Sequence, residues 1–349
     1  MDTITIANRP IGPGHPSFII AELSANHNHD LARAKRIVEA AADAGADAIK
    51  LQTYTADTLT FDSDSAEFRV DGTIWEGKTL YQLYQEASLP WAWHKPLMDH
   101  ARNLGLLAFS TPFDATAIEF LESLDVPAYK IASSELVDIP LIRRVAGLGK
   151  PMIISTGMGT LSEIDEAVQT ARAAGCDQII LLKCTAAYPA PIDEANLATL
   201  PHMAQLFGTV VGLSDHTPGS IAPVAATVLG GCVIEKHLTL SRADGGPDSA
   251  FSMEPQEFAA MVADVRAAER AIGQIRYEPT TQEMRSRDFR RSLFAVRDIP
   301  AGTPFTPENL RSIRPATGLH TRHYDSLLQS RASTHIKAGT PLSWGLVAQ

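Results

Sequence analysis

The chain has 349 residues, 45% hydrophobic and 20% charged, with 30 basic against 40 acidic side chains and a formal charge of −10. That composition is ordinary for a folded globular protein. Without a Lys/Arg run it argues against nucleic acid or an anionic membrane surface as partner, since both depend on concentrated positive charge. Small anions stay possible, because a few local lysines or a metal set the field where a ligand binds.

No basic start followed by an apolar stretch opens the sequence, so no secretory signal is expected. The longest uncharged apolar run, 221–234, holds a proline and two glycines and is too short to span a membrane. A cytoplasmic location follows as the expectation. Cys176, Cys184 and Cys232 form no CxxC pair and are odd in number, which fits packing thiols better than disulfides or structural zinc.

In chain order, short β-rich runs fall at 18–23, 48–54, 106–111, 128–132, 152–155, 178–184, 209–213 and 232–238. Alanine-rich amphipathic segments separate most of them, for example 31–44, 115–124, 162–174 and 219–229. Eight apolar strands alternating with helices predict a (β/α)8 TIM barrel. A doubly wound open sheet is the alternative, but no GxGxxG follows the first strand. The connection 55–104 is too long for a simple crossover and carries Trp75, Tyr81, Tyr84, Trp91 and Trp93. It either shapes a pocket at the barrel mouth or packs an outer subdomain. The expected division is a catalytic barrel over 1–275, a polar linker over 276–289 and a small β-rich module over 290–349. That module contains two similar phrases, Ala301-Gly-Thr-Pro-Phe305 and Ala338-Gly-Thr-Pro-Leu342, each after an alternating run, at 294–299 and 335–337.

Barrel enzymes carry their chemistry at the C-terminal ends of the strands. Here those ends hold Glu22, Lys50 and Gln52, Thr111, Lys130 and Ser133, Ser155, Tyr188, Ser214 and His216, and Glu235 and His237. Alternation along a strand puts Ser214 with His216, and Glu235 with His237, on one face. Two imidazoles from neighbouring strands suit an open divalent-metal site of Lewis-acid type, although a strand histidine can also be a hydrogen-bonded core residue. Lys50 and Lys130 among hydroxyls are either surface lysines or counter-charges for a phosphate or carboxylate.

The segments Ala-Glu-Leu-Ser-Ala-Asn-His-Asn (21–28), Lys-Leu-Gln-Thr-Tyr (50–54), Ser-Thr-Pro-Phe (110–113), Tyr-Lys-Ile-Ala-Ser (129–133), Ser-Thr-Gly-Met (155–158), Leu-Ser-Asp-His (213–216) and Ile-Glu-Lys-His (234–237) resemble the sialic acid synthase family. The likeness runs in order from residue 15 to the C-terminus, and the terminal module resembles the family's antifreeze-like (SAF, β-clip) domain. Leu23-Ser-Ala25, Asp71-Gly-Thr-Ile-Trp75, Leu80-Tyr-Gln-Leu-Tyr84 and Pro90-Trp-Ala-Trp-His94 are most similar to the pseudaminic acid synthase branch.

The resemblance implies condensation of phosphoenolpyruvate with an N-acetylated amino sugar, which for that branch is 2,4-diacetamido-2,4,6-trideoxy-L-altrose. It implies that Lys50, Thr111, Lys130, Ser133, Ser155 and Ser214 hold phosphoenolpyruvate. His216 and His237 would bind Mn2+ or Mg2+, and Glu22 and Glu235 would handle protons. Gln52, Tyr188 and Asp248 would face the sugar, and Arg314 would reach into a partner's barrel in a domain-swapped homodimer. Ala186 and Ser249 depart from the neuraminate pattern of asparagine and histidine, consistent with a different sugar. N-acetylneuraminate or legionaminate synthesis is the alternative activity, and an idle sugar- or phosphate-binding protein the non-enzyme alternative. An ice-binding terminal module is disfavoured, because residues 290–349 keep charged side chains such as Arg297, Asp298, Arg311 and Lys337 throughout.

Overall fold

The computed structural model describes residues 3–348 and divides after Gly273 into two compact units. In the first, Ile4–Ile6 (β1) and Arg9–Ile11 (β2) form a hairpin across Ala7 and Asn8, both with positive φ. Paired positive φ values match the twist of antiparallel strands. The hairpin's Ile4, Ile6 and Ile11 belong to the main hydrophobic core.

Eight parallel strands then close a barrel: Phe18–Glu22 (β3), Ala48–Thr53 (β4), Leu107–Pro112 (β5), Tyr129–Ile131 (β6), Met152–Ser155 (β7), Ile179–Cys184 (β8), Val210–Asp215 (β9) and Val233–His237 (β10). Each pairs with the next in sequence, and β10 returns to β3. Several carry a β-branched pair at or near their start, such as Ile153-Ile154, Ile179-Ile180 and Val210-Val211, buried because the helices cover the outer face. The expected strands lie within a residue or two of these. The seventh runs on to Asp215, because Ser214 and Asp215 keep pairing with β10 (Ser214 with Glu235, Asp215 with Lys236).

Helices connect the strands: Leu31–Asp43 (α1), Ala56–Leu59 (α2), Leu80–Ala87 (α3), Trp91–Asn103 (α4), Ala115–Ser123 (α5), Ile139–Ala146 (α6), Leu161–Ala173 (α7), Thr199–Phe207 (α8), Ile221–Val228 (α9) and Pro255–Ile272 (α10). Side-chain caps start several of them. Asp30 accepts from the Ala32 amide at 2.8 Å, and Thr160 and Glu163 form a reciprocal capping box at α7. Thus the long connection 55–104 contains its own crossover helix, α4, with the shorter α2 and α3 ahead of it. Gly212 in β9 is required by a close approach, since a Cβ there would collide with the carbonyl oxygen of Val233 in β10.

The second unit pairs Ser292–Ala295 (β11) with Leu310–Ile313 (β12) around a core that includes Leu293, Phe305, Leu327, Ile336 and Leu342. A short helix, Thr281–Ser286 (α11), precedes it within the expected linker. The repeated phrases form like turns, with Gly302 at φ +75° and Gly339 at φ +85°. The runs before them are shorter than expected. Ser292–Ala295 replaces 294–299 as the strand, and 335–337 contributes only a bridge between Ile336 and Ile299.

Candidate active site

The C-terminal ends of the barrel strands open into a cavity of about 410 Å³. Parallel strands end here together, so one polar residue at each end is enough to build a continuous polar floor. Glu22 ends β3, Lys50 lies in β4, Lys130 in β6 and Glu235 in β10. The Lys50 ammonium bridges Glu22 Oε2 at 2.7 Å and Glu235 Oε1 at 3.0 Å. Lys130 Nζ reaches the same Glu235 oxygen at 3.1 Å, and Ser214 Oγ donates to it at 3.2 Å. All four charged groups are buried.

Burial and that pairing divide the protons unevenly. Burial, reinforced by the Glu235 charge, pushes the Glu22 carboxyl up, although Lys50 opposes the shift. Glu235 is also desolvated, yet Lys130 and Lys50 together hold it well below the usual carboxylate range. Burial pulls the Lys130 ammonium down to about 8, against the attraction of Glu235. Lys50 is desolvated too, but its two carboxylates keep it above the ordinary lysine value. Two acids with diverging proton affinities in one floor are the arrangement that acid–base chemistry uses.

At the ends of the last two barrel strands, His216 follows β9 and His237 ends β10, with ring centroids 5.2 Å apart. His216 Nδ1 is engaged with the Thr185 carbonyl at 3.0 Å, which leaves its Nε2 for a ligand. His237 Nδ1 is buried without a hydrogen-bond partner, as is Glu235 Oε2. An orphaned imidazole nitrogen beside a second imidazole fits a divalent cation. No group of three or more His, Cys, Asp or Glu side chains is placed to hold a metal ion among the described residues, so water or substrate would complete the coordination.

Residues 37–277 match the NeuB family and residues 290–348 match the SAF domain. The chain belongs to the NeuB family. It is 46% identical to a pseudaminic acid synthase of Helicobacter pylori, over 94% of this chain and 97% of that protein. It is 44% identical to a pseudaminic acid synthase of Campylobacter jejuni, over 94% of this chain and 96% of the relative. Among solved structures, an N-acetylneuraminic acid synthetase from Leptospira borgpetersenii superposes with a TM-score of 0.73 at 32% identity, covering 82% of this chain and 95% of that one.

In this NeuB-family chain the cavity is lined by Lys50, Gln52, Lys130, Ser133, Ser155, Tyr188, Ser214, His216, Glu235, His237 and Asp248. Glu22 sits beneath it through its ion pair with Lys50. Thr111 is buried in β5 with its hydroxyl unpaired, outside the lining. Arg314 belongs to the second unit, exposed just after β12.

Other residues at the site were not among the expected site residues, although Ser24 lies in the 21–28 segment. Ser24 Oγ donates to the Asp248 carboxylate and accepts from Gln52 Nε2 at 3.0 Å, fixing two polar groups at the rim. Glu135, on a 3-10 turn after β6, has its carboxyl pushed up to about 7 by burial, with Oε2 unpartnered. Cys184 also lines the cavity, 3.9 Å from His216 Nδ1, whereas Cys176 and Cys232 pack in the core. Phe251 lies within 5.0 Å of both the Tyr188 and His237 rings.

Proposed function

We propose that the protein condenses phosphoenolpyruvate with 2,4-diacetamido-2,4,6-trideoxy-L-altrose, giving pseudaminic acid and phosphate. The observation that carries this reading is the convergence, in one cavity, of a Lys50/Lys130 pair with a His216/His237 pair. One pair suits an anionic enol ester and the other a cation beside an aldehyde oxygen. The choice of sugar rests on relatives named for pseudaminic acid synthesis at 44–46% identity.

Lys50, Lys130 and the Ser133, Ser155 and Ser214 hydroxyls hold the phosphate and carboxylate, with Thr111 behind them, so that carbon 3 of the enol faces the sugar aldehyde. Asp248, Gln52 and Tyr188 orient the sugar. His216 and His237 hold a divalent metal ion, which when bound polarises the aldehyde oxygen. Two imidazoles favour Mn2+ over Mg2+, which prefers oxygen ligands. A bond forms between carbon 3 and the aldehyde carbon, and the Glu22 carboxyl, whose proton affinity burial raises, serves the new alkoxide through Lys50, which separates it from the cavity. Water adds at carbon 2 and returns a proton toward Glu22; the bond from carbon 2 to the phosphate oxygen then breaks as the new hydroxyl becomes the keto oxygen, its proton leaving with the phosphate. The protein works in the cytoplasm as a homodimer in which the partner subunit's Arg314 completes the sugar site.

The test is phosphate release by the purified protein with phosphoenolpyruvate, Mn2+ and one sugar at a time: the trideoxy altrose, the legionaminate precursor or N-acetylmannosamine. Release with the first sugar, abolished by excess chelator, is the expected result. Faster release with either of the others would refute the assigned sugar, and release that persists in chelator would refute the metal.

A further inference from the structure

The cavity has two chemically distinct halves. Its floor carries the charged cluster, but the wall supplied by the long insertion is mainly apolar, built from Leu59, Val70, Trp75, Leu80, Leu83 and Tyr84 with Ala87 and Thr73, whose hydroxyl accepts from the Trp75 amide at 3.2 Å. None of the insertion's charged side chains lines the cavity. Building on the function proposed above, we infer that this wall selects sugars whose outer substituents end in methyl groups, and that Trp75 is the specificity-determining residue that holds it in place.

The geometry centres on one hairpin. The Val70 amide donates to the Lys78 carbonyl at 2.9 Å and Gly77 N to Val70 O at 3.3 Å, closing a loop whose tip residue Ile74 is 49% exposed. From that exposed loop, Trp75 Nε1 donates to the Pro247 carbonyl at 2.7 Å, across 172 residues of chain. Pro247 precedes Asp248, whose carboxylate is itself fixed by Ser24 Oγ and the Ala25 amide. The indole thus anchors the loop to the sugar side of the cavity, with its ring 5.7 Å from that of Tyr188.

Methyl groups of a 6-deoxy carbon and of acetamido substituents lose water favourably against such a wall. A hydroxymethyl or hydroxyl against the Leu59, Val70, Leu80 and Leu83 side chains would be desolvated with no partner among them. Apolar walls reject an added hydroxyl only moderately, so the expected preference is about tenfold to a hundredfold.

The experiment compares kcat/KM for the trideoxy altrose and for N-acetylmannosamine, together with phosphoenolpyruvate affinity, in the unaltered protein, Trp75→Ala and Val70→Thr. Trp75→Ala is expected to lose about tenfold or more on the trideoxy sugar, and less than about threefold on N-acetylmannosamine. Phosphoenolpyruvate affinity should stay unchanged in both variants. Val70→Thr keeps the wall's shape while adding a hydroxyl, and should narrow the preference from the other side. Equal losses on both sugars in Trp75→Ala, or an unchanged ratio in both variants, would overturn the inference while leaving the proposed reaction standing. An unaltered protein that does not turn over the trideoxy sugar overturns both.

Discussion

Raising the pH should weaken phosphoenolpyruvate binding by removing one specific proton. Lys130 is the site's exposed weakness: its ammonium is buried, shares a single oxygen of Glu235 with Lys50, and is pulled down to about 8. Lys50, between two carboxylates, is held above its ordinary value and keeps its proton. The sign follows directly. A depressed lysine is charged below about 8 and neutral above it, so anion affinity is complete on the acid side and lost as pH rises. With that midpoint, the charged fraction falls from about nine-tenths at about pH 7 to about one-tenth at about pH 9, or about tenfold in affinity. Calorimetric titration across that range, in buffers of different ionisation enthalpy, should show the affinity falling. It should also show proton uptake on binding growing toward about one per site, because the bound anion restores the ammonium. Affinity that stays level to about pH 9, or a decline that persists in Lys130→Met, would refute the assignment.

Three further outcomes are expected. His237→Ala should abolish measurable Mn2+ binding by electron paramagnetic resonance and lower turnover by at least about a hundredfold. The fold should persist with some loss of stability, because the buried ring that is removed packs against His216 and Phe251. Asp215→Ala should destabilise the fold by about 3–5 kcal/mol in denaturant titration, since it strands the Lys236 ammonium. Lys236 lies 2.5 Å from Asp215 Oδ2 in a pair that is almost wholly buried. An unmoved unfolding midpoint would show that the pair contributes nothing. Arg314→Ala should raise KM for the sugar while phosphoenolpyruvate affinity stays put, and equal loss for both substrates would remove Arg314 from the sugar site.

The barrel was legible because a strand buried on both faces is written as a short β-branched run, and because helices between such runs allow only parallel pairing. The floor was legible for a related reason: polar residues end strands whose beginnings are apolar, as in Val233-Ile-Glu-Lys-His237. Periodicity says nothing about which distant groups meet. Ser24 with Asp248 and Trp75 with Pro247 join positions 224 and 172 residues apart, and neither pair leaves a local trace. Glu135 was missed because it sits on a 3-10 turn past the strand end, where no alternation applies. In the second unit, β12 was missed because Leu310-Arg-Ser-Ile313 is only four residues long and buries just one of them fully. The aromatic insertion divides between the two readings its sequence allowed. Trp75 and Tyr84 line the cavity, while Trp91 stacks on Phe120 at 4.7 Å, outside the lining.

Two ammoniums facing two carboxylates leave the floor nearly neutral when both acids are ionised, which avoids the cost of an unpaired buried charge. The same cancellation would leave a multiply charged phosphate ester little net attraction. A proton on Glu22 would ease that conflict, and burial raises the carboxyl's affinity for one. The two ammoniums would then face the single charge of Glu235. In the proposed reaction the proton passed toward the new alkoxide leaves Glu22 charged against Lys50, which lies 2.7 Å away. That carboxylate can in turn take the proton of the water that adds at carbon 2. Anion capture and water activation would therefore draw on one residue, in an order set by its charge: Glu22 can accept from water only after the carbon–carbon bond has formed.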